Sequence, residues 1–378
     1  MRCLIIHNPA SGPSSDEIYA FTHALAQGGD EVVMRFIGDG MEPEDAVADV
    51  REFDRVVVSG GDGTVSNVLD QMRGCGVPTL VFPSGTACLF FNNIGNAPEA
   101  AALAKACRAG RTVKVDMGEL FWLDENGNEK RHGFIIIAGS GFDAEIMMKA
   151  APTKNDIGEI AYFLSALATP NPTVAHFTIE HDGIVEELDG ICCMAGNTSV
   201  IQNDINLFPD CRMNDGMVDI AVIEPVRTVQ LLPTVITAAL DPAGKVLGRP
   251  QFKIIQTKEA KITCTPSLGM QFDGEIISSN SGVFGARALP QCLDLIVDEF
   301  SPARLYHHRF GHARRLCDQR DPPPEEVIPH WYDIHPVIDS PAVYANPKQR
   351  ESFLFERRLM LYSATVNAGC LYLTKAIK

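Results

Sequence analysis

A chain of 378 residues is long for a single compact core, so two domains with an appendage are expected. The composition, 46% hydrophobic and 21% charged, is that of an ordinary globular protein. A formal charge of -16 excludes broad nucleic-acid binding and obliges any anionic ligand to be met by local backbone amides or a bound metal.

The first ~115 residues alternate strand-like and helix-like patterns, as a parallel α/β sheet does. Apolar runs at Cys3–His7, Glu31–Ile37, Arg55–Ser59 and Thr79–Phe82 predict strands. Helices are predicted over Ser15–Ala26, Glu44–Val50, Thr64–Met72 and Pro98–Arg108, with Ser14 or Ser15 able to cap the first. After Asp116 the runs become strand-rich: Gly133–Ala138, Thr173–Glu180, Gly190–Met194, Met217–Ile223, Phe252–Ile255, Lys261–Thr265 and Cys292–Val297. Helical interludes fall near Asp156–Ala168 and Thr228–Leu240. The fold class that follows is α/β, a parallel-sheet nucleotide-binding domain plus a second, β-sandwich-like domain, with a cleft between them. The expected bounds are 1–116, 117–298 and a C-terminal extension over 299–378.

The extension changes character twice. Ser301–Arg320 carries Arg304, Arg309, Arg314, Arg315 and Arg320 with His307, His308 and His312, against the single acid Asp318. It reads as a basic helix facing anionic headgroups or as a solvated helix, and the histidines lack a nearby carboxylate to make a zinc site. Asp321–Pro347 holds seven prolines and reads as extended. Leu359–Thr374 is moderately apolar, and packing on the core is the simpler reading for it.

Eleven cysteines without a C-x-x-C read as reduced, mostly buried thiols. The opening run Arg2–Asn8 is too short for a secretory leader, and no apolar run reaches the ~20 residues that span a bilayer. A cytoplasmic protein is expected, with peripheral contact at the inner membrane face left open. A homodimer through an exposed sheet edge is also left open.

Three strand-end turns carry chemistry. Ser59-Gly60-Gly61-Asp62-Gly63-Thr64 follows a strand and opens a helix, so a phosphate can approach the backbone where Cβ atoms are missing. Asp62 can accept a hydrogen bond or meet a metal, and Thr64 can cap the helix. Asn8-Pro9-Ala10-Ser11-Gly12 closes the first strand, and Pro83-Ser84-Gly85-Thr86 closes the fourth. Each alone is also compatible with a simple tight turn.

Together, in this order, they resemble the diacylglycerol kinase catalytic-domain family, which includes sphingosine and ceramide kinases and bacterial lipid kinases. The resemblance continues through Asp116-Met117-Gly118, Gly139–Ala144, Phe208-Pro209-Asp210, Asn214-Asp215-Gly216 and Gln271-Phe272-Asp273-Gly274-Glu275, covering about residues 1–298. It implies a kinase that moves the γ-phosphate of ATP to a lipid hydroxyl, on diacylglycerol, a sphingoid base, ceramide or a related lipid at a membrane surface. By the same resemblance, Asn8, Ser11, Gly60, Gly61, Asp62, Gly63, Thr64 and Thr86 contact nucleotide. Glu275 is the general base with Asp273 beside it, and Asp215 with the backbone of Arg212 and Met217 holds Mg2+. An NAD-kinase-like metabolite kinase and a catalytically weak lipid-binding relative remain as alternatives. Without the resemblance, Asp273-Gly274 also reads as a plain hairpin turn with Glu275 in solvent.

Three positions depart from the family pattern. The G-G-D-G-T-x-N-E run ends here in Ser66-Asn67, and the Asn of G-T-x-N is Cys88. The Thr-rich turn after the second strand is not recognisable in Met34–Gly40. Each lost side chain costs about one hydrogen bond, roughly 0.5–1.5 kcal/mol net, which modifies catalysis without abolishing it.

Overall fold

The computed structural model describes residues 1–12, 16–38, 40–142, 172–202, 205–226, 247–277 and 281–299, with residues 144, 231, 237, 241 and 301 besides. These residues all belong to the compact unit Met1–Arg314. The helix expected at 156–168, most of that at 228–240, and every expectation for the tail beyond Ser301 lie outside the described residues.

Four strands open the chain: β1 (Arg2–His7), β2 (Glu31–Phe36), β3 (Arg55–Gly60) and β4 (Thr79–Pro83). They pair in parallel in the order β2-β1-β3-β4, each within a residue of the run read from the sequence. β1 and β3 are central and covered on both faces, so their sequences are almost continuously apolar. Around them lie α1 (Glu17–Gln27), α2 (Pro43–Ala46), α3 (Asp62–Gln71), α4 (Leu89–Ile94) and α5 (Ala100–Ala109). α1 turns Ile18, Phe21 and Leu25 inward, the spacing of one helical face.

Several expectations need correction. α1 starts after Asp16, which makes no side-chain cap, and Ser14 and Ser15 lie outside the described residues. α2 is one turn, followed by a 3₁₀ turn at Val50–Glu52, where a longer helix was expected. α4 was not foreseen, because six residues span too few turns to show a period. α3 begins at Asp62, two residues before Thr64, so Thr64 does not cap it.

The remaining chain is strand-rich. β5 (Thr112–Leu123), β6 (Glu129–Phe134), β7 (Ile137–Gly141), β8 (Ala175–His181), β9 (Ile184–Gly190) and β10 (Cys192–Gly196) come first. A two-stranded ribbon follows, β11 (Val200–Gln202) with β12 (Ile205–Asn206). Then come β13 (Val218–Ile223), β14 (Phe252–Thr257), β15 (Glu259–Thr265), β16 (Met270–Phe272), β17 (Glu275–Ile277) and β18 (Val283–Ile296).

β18 joins the two halves. It touches β4 in parallel through Leu295 and Thr79, and it pairs antiparallel with β5 and β15, so the opening sheet runs on into β15, β8 and β9. A second, antiparallel sheet has the order β14-β13-β10-β7-β16-β17. The two sheets face each other across a core of Leu120, Phe134, Phe177, Ile179, Cys193, Val218, Ile220, Val222, Ile262 and Phe284. Strand alternation explains which residues enter it. Val218, Ile220 and Val222 point into the sandwich, while Ala221 and Ile223 join Phe142, Met194 and Phe208 on the outer face. For the same reason the adjacent thiols Cys192 and Cys193 serve different cores.

Candidate active site

The three glycine-bearing turns stand side by side at the carboxyl ends of β1, β3 and β4, the edge where open parallel sheets bind ligands. Side chains bind them to one another. Asn8 donates through Nδ2 to Thr64 Oγ1 at 2.8 Å, joining the first turn to the second. Its Oδ1 accepts the Ala10 amide at 3.0 Å, and its carbonyl accepts the Ser11 amide at 3.2 Å, so the first turn is also braced internally.

The second and third turns meet backbone to backbone. A Cβ on Gly85 would fall 2.5 Å from Gly61 Cα, so no other residue fits there without parting the turns. Asp62 reinforces this contact: its two carboxylate oxygens accept the amides of Phe90 and Leu89 at 2.9 and 3.0 Å. Burial raises the Asp62 carboxyl above its usual range, and those amides work against the rise. Of the two uses open to Asp62 from sequence, the geometry takes the hydrogen-bonded one.

A buried polar chain, missed by sequence reasoning, runs beneath the turns. His7 Nδ1 lies 2.9 Å from Ser59 Oγ, and Ser59 Oγ lies 2.6 Å from Ser84 Oγ. His7 ends β1, Ser59 is next to last in β3 and Ser84 follows β4, so the chain pins the strand ends at one level. Burial lowers the His7 pKa, which keeps the ring neutral. The available signal was a histidine and two serines at the ends of otherwise apolar runs.

Glu275 lies at the same place. A Cβ on Gly63 would sit 3.4 Å from Glu275 Oε1, and Asn67 Nδ2 donates to that oxygen at 3.0 Å. The Glu275 residue is exposed. Asp273, at left-handed φ 44°, has a different setting. Its Oδ2 accepts Ser66 Oγ at 2.5 Å and the Ile135 amide at 2.7 Å; its Oδ1 accepts the amides of Ile136 and Ile137 at 2.9 and 3.0 Å. Burial pushes its carboxyl up to about 6 even against these donors. The same amides explain why the expected strand Gly133–Ala138 is split between β6 and β7. Ile135 and Ile136 turn their N–H groups to Asp273 instead of a neighbouring strand. Ser66 and Asn67, noticed in the sequence only as departures, are the two residues of α3 that touch the Asp273–Glu275 turn.

Asp215 stands elsewhere. With Asp116, Asn214, Gly216, Lys258, Glu259, Arg287 and Gln291 it lines a hollow of about 440 Å3 that includes none of the glycine turns. Its Oδ1 accepts the Met217 amide at 3.1 Å, and burial raises its pKa. Asp116 accepts the amides of Gly216 and Gln291 at 2.6 and 2.7 Å, one on each carboxylate oxygen. Nearby in sequence, Asp219 is buried to 2% exposure with no donor for Oδ2; burial raises its carboxyl to about 6 against hydrogen bonding from Cys211 and Gln256, and the charge of Asp215 adds to the rise. A buried carboxylate oxygen without a donor suits a hard cation such as Mg2+. No group of three or more His, Cys, Asp or Glu side chains forms a ready metal cluster among the described residues.

Comparison with known proteins decides the family. The diacylglycerol kinase catalytic domain matches residues 2–120, and the YegS C-terminal NAD kinase beta sandwich-like domain matches residues 136–297. The chain belongs to the diacylglycerol kinase catalytic-domain family. It is therefore a phosphotransferase acting on a lipid hydroxyl, in a family of kinases that use ATP. The lipid kinase is 27% identical over 294 residues to a diacylglycerol kinase of Bacillus subtilis, covering 72% of this chain and 89% of that one. It is 28% identical over 243 residues to a diacylglycerol kinase of Mycobacterium tuberculosis, covering 61% and 73%. In fold it is similar to a diacylglycerol kinase structure from Bacillus anthracis, with TM-score 0.59, 21% identity, and coverage of 79% and 97%. A yeast NADH kinase complexed with NADH shares the architecture at TM-score 0.50 and 10% identity, over 82% of this chain and 87% of that one. Among the described residues, no helix is long and apolar enough to cross a membrane.

Proposed function

We propose that this lipid kinase transfers the γ-phosphate of ATP to the hydroxyl of diacylglycerol, with Glu275 as general base. The observation that carries the reading is the 3.4 Å approach of Glu275 Oε1 to the Cβ position of Gly63, which sets a carboxylate against the glycine loop. Diacylglycerol is the first acceptor to test because the relatives from Bacillus subtilis and Mycobacterium tuberculosis carry that name. Sphingoid bases and ceramide are further acceptors of the same chemical class.

The geometry supports the following division of labour. Residues Gly60, Gly61, Asp62, Gly63 and Thr64, with Asn8, Ser11 and Thr86, form the nucleotide cradle. The first amides of α3 have no partner within the helix and are free to receive phosphate oxygens, whose charge the helix dipole favours. Asp62 keeps the cradle in shape through Leu89 and Phe90, and Asp273 sets the orientation of its turn. Glu275 then takes the proton of the lipid hydroxyl as its oxygen attacks the γ-phosphorus and ADP leaves. Asp215, with the main-chain carbonyls of Arg212 and Met217, would hold Mg2+, which supplies positive charge beside Asp116 and Asp219 when bound.

The test is labelled ATP with Mg2+ and mixed micelles of diacylglycerol, ceramide or sphingosine, with NAD as a soluble control. Label in phosphatidic acid is the expected result, and label confined to NAD would overturn the proposal. Glu275→Gln should fold normally and lose at least ~100-fold in kcat. Near-normal turnover in that variant removes Glu275 from its role.

A further inference from the structure

We propose that Asn67 is a positioning residue that aims the Glu275 carboxylate at the acceptor hydroxyl, with Ser66 anchoring the turn beside it; this rests on the reading of Glu275 as the base. Gly63 and Asn67 are four residues apart and share one face of α3. Both stand beside the same atom, Glu275 Oε1: a Cβ on Gly63 would lie 3.4 Å from it, and Asn67 donates to it at 3.0 Å. Ser66, one residue earlier, reaches Asp273 on the far side of the same turn at 2.5 Å. One short helix thus offers its N-terminus to the nucleotide and, a turn later, grips the base. The Asn67 hydrogen bond ties the base, carried on the second sheet, to the helix that follows the glycine loop.

Glu275 needs such a grip. It is exposed, on a three-residue strand at the edge of the second sheet, and a free glutamate samples many rotamers. An amide donor on Oε1 holds the side chain and leaves Oε2 to receive the proton. An acid at residue 67 would set a like charge against the Glu275 carboxylate in place of this donor. The other carboxylates on α3 and on the turn are already engaged: Asp273 by four donors, Asp62 by the amides of Leu89 and Phe90, and Asp70 by the Gly133 amide and Arg73.

The experiment uses the full chain with Mg2+, ATP and dioleoylglycerol micelles, and compares Asn67→Asp, Asn67→Ala and Glu275→Gln across pH. Asn67→Asp should move the acidic limb of the kcat profile up by about one pH unit, with recovery at higher pH and both KM values within about twofold. Asn67→Ala should lose about two- to tenfold in kcat without a change in KM. Wild-type profiles in both Asn67 variants, or effects confined to KM, overturn the proposal. If Asn67→Asp fails to fold by circular dichroism, the kcat-against-KM split in Asn67→Ala decides. The Glu275→Gln arm separates the two readings. Full turnover there defeats the base itself, whereas collapse there with unaltered Asn67 variants defeats only the positioning role.

Discussion

A buried carboxylate is costly even where donors surround it, and burial raises Asp273 and Asp219 alike to about 6. Asp273 accepts four hydrogen bonds on two oxygens, enough to hold a left-handed residue in a tight turn. Asp219 leaves Oδ2 without any donor. Its folded pKa, about 6, lies above the ordinary carboxylate value because of burial. The sign follows from linkage: the folded state prefers the protonated acid, so this stabilisation is complete below the unfolded pKa. It is lost as pH rises through about 6. Asp219→Asn escapes that loss. In EDTA, its stability relative to the parent should rise by on the order of 3 kcal/mol between about pH 4 and pH 7. Urea unfolding at both ends of that range is the measurement, and an equal difference at both would refute the assignment.

At the scale of elements, the glycine turns are where packing and chemistry coincide. Gly85→Ala would thrust a methyl group into Gly61 Cα at 2.5 Å, backbone against backbone, with no flexible side chain to yield. The two turns must part, and the amides of α3 then lose their aim. The KM for ATP should rise at least about tenfold while lipid affinity holds, since misplacement by ~1 Å is costly in such sites. A rise in lipid KM alone would contradict the placement of nucleotide on these turns.

These turns and the parallel strands beneath them were legible in the sequence because their signals are local: apolar runs ending in Gly, Pro, Ser and Thr. Other features were not local. β5 alternates too weakly to mark a strand until β18, ~170 residues later in the chain, pairs along it. Ser66 and Asn67 looked like losses because the sequence cannot show that Asp273 and Glu275 arrive opposite them. Cys88, also read as a loss, occupies a left-handed residue at φ 47°, a conformation that asparagine tolerates better than most. The Asp62 carboxylate had two plausible partners by residue type alone, and only the position of Leu89 and Phe90 chooses between them.

For the molecule as a whole, the strand β18 decides how the two lobes respond to stress. Its first half contributes Phe284 and Ala286 to the sandwich core. Its second half contributes Leu293, Leu295 and Ile296 to the core of the α/β lobe. β5 bridges the same two cores through Val113, Val115 and Met117 on one side and Leu120 on the other. Two continuous strands passing from one core into the other leave little room for one lobe to unfold alone, because losing either removes ladder partners from both. Leu295 is 1% exposed, so Leu295→Ala should cost about 2–5 kcal/mol through the cavity it opens. That loss should appear in both lobes at once. Hydrogen exchange in denaturant should show β1 and β3 opening together with β10 and β13, each shifted equally by the substitution. If β10 and β13 kept the protection of the parent protein while β1 and β3 lost theirs, the lobes would be independent folding units and the bridging strands merely adjacent to both.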